Sequence, residues 1–225
     1  MEEIESSFSM LVEKKMFKID SENLAYWYFR LNGFLTIQNF VVHPNSGSQQ
    51  RTEIDIIAAR FPYRTELPEN ENPMQDDDRL KFIPDKIRIV LAEVKTNKCK
   101  LNDALINSDR GNVHNIISAI GLFEPKKMDF VSEKLYEHGY YEDKKFLVSL
   151  CCLGKKTNNA KCKQYPKVPQ LTWNSVLSFI YDRFEKYEIY KRQHQQWDSN
   201  GRNLFKHFQK CYDRNEFLAT IEIAR

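Results

Sequence analysis

The stretch that most constrains this chain is Ile87 to Lys95, IRIVLAEVK, an apolar strand that ends in charge. On a period of two, Ile87, Ile89, Leu91, Glu93 and Lys95 share one face, and Val90, Ala92 and Val94 share the other. Apolar residues on both faces predict a strand covered on both sides, within the interior of a sheet. Glu93 then falls at the rim of a core, where a carboxylate without a partner is costly and a metal ion would relieve the cost. An isolated E-x-K at a strand end is ordinarily a solvent-facing pair of charges, so its meaning depends on what else the chain brings to it.

A second acid sits in mid-strand. In Thr52 to Arg60, TEIDIIAAR, alternation puts Glu53, Asp55, Ile57 and Ala59 on one face and Ile54, Ile56 and Ala58 on the other. Aspartate is disfavoured inside strands, so Asp55 is expected to pair with something or to do something. Upstream, Phe34 to Val42 predicts another strand, and HPNSGSQQ a turn. Before these, Asp20 or Ser21 supplies a helix cap, Glu22 stands in the first turn, and Gly33 closes the run NLAYWYFRLN. An acid in a first turn is favoured by the helix dipole in any protein, so Glu22 alone proves nothing.

Downstream of Lys95 comes a polar stretch with Lys98 and Lys100, then a helix over Val113 to Phe123 and a partly helical segment over Lys126 to Lys145. Phe146 to Leu153, FLVSLCCL, predicts a buried strand, and it opens into a basic loop carrying Lys155, Lys156, Lys161 and Lys163. A long helix is expected from Trp173 to about Trp197, with its aromatic stripe in the core, and a last one from Arg202 to Arg214 after Gly201. Ile4, Phe8, Leu11 and Val12 predict a further helix over residues 4 to 17. Phe61 to Asp85 breaks the pattern with four prolines and the acids Glu66, Glu69, Glu71, Asp76, Asp77 and Asp78. It reads either as a solvated, disordered insertion or as a gate over the neighbouring acids.

The 225 residues, 41% apolar and 29% charged, suit one folded domain. Residues 1 to 85 carry 9 basic and 15 acidic side chains, the remainder 25 and 16, so the second half has the charge to meet an anionic partner. Five cysteines without a C-x-x-C pair suit a reducing compartment, and His207 with Cys211 lacks the second ligand pair a zinc site needs. No run of about 18 apolar residues is present, and the chain is expected in the cytoplasm with no membrane partner.

Read in order, the chain is helix, strand, strand, strand, helix, strand, with Glu22, E-I-D-I-I at 53 to 57 and A-E-V-K at 92 to 95. Over residues 20 to 153 it resembles the PD-(D/E)XK nuclease superfamily, with Ile54 where that family's proline would stand. The resemblance implies an α/β fold: a restriction endonuclease-like α/β/α core around a central mixed sheet, flanked here by an N-terminal helix and C-terminal helices at 173 to 214. It gives Asp55 and Glu93 the places of the metal-binding acids, Lys95 that of the lysine near the attacking water, and Glu22 that of the helix acid. It implies Mg2+, with Mn2+ able to substitute, and DNA as substrate, with a restriction or defence role as one setting. Lys98, Lys100, Lys155, Lys156, Lys161 and Lys163 are the expected nucleic-acid contacts. A second copy of the chain or a regulatory protein is a further expected partner. The alternative is a nuclease fold that binds nucleic acid or another subunit without cutting.

Overall fold

The alternation in Ile87–Val94 is realised as β4, an interior strand whose two faces enter two separate cores. The structure is a computed structural model that describes residues 16–43, 52–80, 83–158, 165–192 and 197–224. Strand β4 lies between β3 (Thr52–Arg60), with which it runs antiparallel, and β6 (Phe146–Gly154), with which it runs parallel. The sheet is completed by β2 (Leu35–Val42) outside β3, and by β5 (Tyr140–Glu142) and β7 (Gln170–Thr172) on β6. The protein is therefore mixed α/β, with a mixed and mostly antiparallel sheet.

Val90, Ala92 and Val94 pack with Cys151 and Leu153 into the first core, beneath α1 (Ser21–Leu31) and α5 (Trp173–Lys186). Ile89 and Leu91 pack with Val148, Leu150 and Cys152 into the second, beneath α3 (Asn112–Ile120) and α4 (Pro125–His138). A short helix, α2 (Asp103–Ile106), leads into that side. Each fully buried aliphatic side chain here contributes about 1.5–3 kcal/mol through removal from water, and burial on both sides explains why β4 is apolar from Ile89 to Ala92. In β3 the alternation holds from Ile56 to Ala58, but Ile54 packs in the second core instead of joining Ile56 in the first. The departure falls where the β2–β3 register skips Asn39 and Asp55, and where a left-handed φ of 51° at Asn39 kinks β2.

Four further expectations need correction. The expected helix from Trp173 to Trp197 stops at Tyr187, whose hydroxyl donates to Pro73 O at 2.8 Å, and resumes only as α6 (Glu188–Lys191). The expected helix from Arg202 to Arg214 is two: α7 (Ser199–Phe208), capped by Asp198, and α8 (Arg214–Ala219), capped by Asp213. Gly201 lies inside α7 and does not precede it, because the Trp27 ring occupies the space a Cβ would need. The expected helix over residues 4 to 17 lies outside the described residues except for its end, where Phe17–Asp20 forms β1 and pairs in parallel with β8 (Ile221–Ala224).

The fourth correction concerns the acidic segment. Over 61–80 it forms a packed strap. Met74, Asp77 and Leu80 are buried; Asp76 pairs with Arg60 at 2.5 Å and with Arg64; Asp77 accepts the Tyr28 hydroxyl at 2.9 Å and binds Arg79. Arg183 donates to Gln75 O, and Lys191 faces Glu66 at 3.7 Å. Residues Glu69, Glu71 and Asp78 stay exposed. The strap engages Arg60, at the far end of β3 from Asp55, so it does not gate the Asp55 end of the sheet. Among the described residues, no helix is long and apolar enough to cross a membrane.

Candidate metal and nucleic-acid site

The regular pairing of β3 with β4 ends at Ile56 and Ala92, one residue short of Asp55 and Glu93. Beyond that point Asp55 Oδ2 accepts the Val94 N–H at 2.7 Å, so a side chain replaces the missing ladder partner. The Lys95 N–H remains tied to Leu153 O at 3.0 Å on the other side. Lys95 then turns its side chain back along β4, placing Nζ 2.8 Å from Glu93 Oε2 and 3.9 Å from Asp55 Oδ2. The sequence reading that put Asp55, Glu93 and Lys95 together is realised at one end of the sheet.

Glu93 is fully buried, and its Oε1 has no hydrogen-bond partner among the described residues. Burial is the largest reason its carboxyl is pushed up to about 7; the charge of Asp55 adds to the rise, Lys95 opposes it, and Glu53 adds a smaller contribution. Glu53 is thus an acid of the same neighbourhood that the sequence reading did not promote. Its shared face with Asp55 was the available signal.

Glu22 is placed differently. Asp20 caps α1 by accepting the N–H groups of Glu22 and Asn23 at 2.9 and 3.0 Å, as a helix start requires. Asn23 meets Gln38, whose register partner is Ile56, so α1 does begin near the Asp55 end of β3. Yet α1 packs on the first core, whereas Glu93 continues the face of Leu91 in the second. Among the described residues no group of three or more His, Cys, Asp or Glu side chains is arranged to hold a metal ion. Two acids remain. They fit a magnesium-sized ion, which keeps several waters and needs one or two carboxylates, and the buried Glu93 Oε1 is an acceptor without a hydrogen-bond partner among the described residues.

The lysines called from sequence fall beside this pair. Lys98 forms a parallel bridge with Lys156, Cys99 N donates to Lys156 O at 2.8 Å, and Asn97 O accepts from both Lys155 N and Lys156 N. A Cβ on Gly154 would stand 2.8 Å from Cys99 N and 2.9 Å from Asn97 O, so only glycine permits the two segments to lie so close. Exposed Lys98, Lys100, Lys155 and Lys156 therefore stand on one ribbon that prolongs β4 and β6 past Lys95. Lys161 and Lys163 lie outside the described residues. His207 and Cys211, set aside as zinc ligands, form a separate hydrogen-bonded pair with Thr220.

No family model matches the chain, and neither a curated protein nor a solved structure matches it.

Proposed function

We propose that the chain is a metal-dependent phosphodiester hydrolase, a DNA endonuclease with the restriction endonuclease-like arrangement that its motifs resemble. The observation that carries the reading is the buried, unpartnered Glu93 Oε1 set beside Asp55 and Lys95. A divalent ion, Mg2+ or Mn2+, supplies Lewis acidity and a bound water of lowered pKa when present. Asp55 and Glu93 are the residues that would hold it. Asp55 keeps one oxygen on the Val94 N–H, which fixes the carboxylate and leaves the other oxygen to face the ion. Lys95, in reach of both acids, orients the water or offsets charge on the phosphoryl oxygen. Glu22, at the helix start, is the candidate to reach a second ion or a water. The ribbon of Lys98, Lys100, Lys155 and Lys156 gives phosphates a sequence-independent seat.

The test is cleavage by the purified chain, with Mg2+ and then Mn2+, of linear, supercoiled, branched and single-stranded DNA and of RNA. Asp55→Asn, Glu93→Gln and Lys95→Ala should each lower the rate at least about 100-fold. Wild-type cleavage by Asp55→Asn overturns the assignment of the site. Nucleic-acid binding with no cleavage in either metal would instead favour a non-cutting member of the fold.

A further inference from the structure

Lys95 is the first residue beyond β4, and at that position the ladder no longer fixes it on both sides. Its N–H is held by Leu153 O at 3.0 Å, and its carbonyl accepts the indole Nε1–H of Trp173 at 3.1 Å. Trp173 is the first residue of α5, which Thr172 caps by accepting the Ser175 N–H. The preceding strand β7 pairs Leu171 with the same Leu153 that binds Lys95. The backbone of Lys95 is thus clamped by β6 on one atom and by the β7–α5 junction on another, while its ammonium reaches Glu93 and Asp55.

Trp173 is buried in the first core, and packing alone accounts for its ring. Packing does not account for the direction of the N–H. A buried indole N–H requires an acceptor, and the acceptor used here is the carbonyl of the one lysine in the acid pair's reach. We infer that Trp173 is a positioning residue for Lys95: its indole N–H fixes the Lys95 carbonyl and so holds Nζ between Glu93 and Asp55. The inference rests on the nuclease reading for its catalytic consequence, but not for its geometric one.

Trp173→Phe removes the donor and keeps most of the ring. Val176→Ala, a fully buried change on the same helix and in the same core, is the packing control. Two readouts are taken on both variants: the NMR shifts of the Lys95 ε-methylene, and kcat separately from KM. Trp173→Phe should move the Lys95 signal and lower kcat by about tenfold with KM little changed, since small misplacements of a catalytic group act on the chemical step. Val176→Ala should leave both readouts near wild type. Equal effects in the two variants, or an unmoved Lys95 signal in Trp173→Phe, overturn the inference. If the wild type cleaves nothing, the nuclease reading fails and the Lys95 signal alone decides the positioning role. If Trp173→Phe does not fold, hydrogen exchange of the Trp173 Nε1–H in the wild type decides it: protection supports the bond to Lys95, and free exchange refutes it.

Discussion

Asp55 Oδ2 takes the N–H of Val94 at 2.7 Å and lies 3.9 Å from Lys95 Nζ, so one carboxylate both closes the gap where β3 and β4 part and faces the lysine of the site. A part-buried backbone N–H without an acceptor costs about 1–3 kcal/mol. Asp55→Ala should therefore lose stability by about that amount, while Asp55→Asn, which keeps an acceptor, should lose much less. Urea unfolding at fixed pH measures both. Equal stabilities for the two variants would mean that the bond contributes nothing.

The raised pKa of Glu93 gives the metal-free protein a definite pH dependence. Because the folded-state value is about 7 against an ordinary 4.5, the folded chain holds a proton that the unfolded chain has released between those values. The associated stability is fully present below about 4.5 and is lost as the pH rises through about 7. Its size is on the order of 3 kcal/mol as an upper bound. Glu93→Gln should flatten this part of the stability profile and be more stable than wild type at pH values above the transition. Thermal melts across that window are the measurement; parallel curves for the two proteins refute the expectation.

The lysine ribbon predicts how binding responds to salt. Replacing Lys98, Lys100, Lys155 and Lys156 together by alanine should weaken duplex binding across unrelated sequences and reduce the log-log salt slope by up to ~0.9 per lost phosphate contact. Gly154→Ala should have a related effect, since its Cβ would force apart the Asn97–Cys99 and Gly154–Lys156 backbones. An unchanged slope in the quadruple variant returns these lysines to ordinary surface.

The strap predicts a loss and not a gain when it is cut. Asp77→Ala leaves the Tyr28 hydroxyl and Arg79 without the carboxylate they share, and should cost about 1–3 kcal/mol. Replacing residues 66–78 by a Gly-Ser linker removes Met74 as well, and should lower the melting temperature without accelerating cleavage. Faster cleavage by a folded linker variant would restore the gate.

Alternation made β3 and β4 legible because both faces of each strand are buried, so nearly every side chain reports its side. The same signal misplaced Ile54, since the kink at Asn39 lies on the neighbouring strand and leaves no mark in TEIDIIAAR. Asp55, Glu93 and Lys95 could be found because strand register alone brings them together. Glu22 could be recognised as a helix start, but the face on which α1 would pack is a tertiary property. The strap was unreadable for a related reason: its acids look solvated until Arg60, Arg64, Arg183 and Lys191 arrive from distant segments. Those same contacts draw Tyr187 out of the long helix that its apolar stripe predicts.

Strand β1 is held by β8, with Phe17 opposite Ile221 and Asp20 opposite Ala224, and Asp20 is also the cap of the helix that carries Glu22. During synthesis the cap residue emerges early and its strand partner emerges late. The pairing of β1 must therefore wait, on the ribosome, until residues 221–224 are free to reach it, although the Asp20 cap on α1 is local, while the hairpin carrying Asp55 and Glu93 needs only neighbours already made. Pairing of the acid-bearing strands thus precedes pairing of β1, and a ribosome-stalled chain lacking β8 should protect the β3–β4 amides from exchange while leaving those of β1 open.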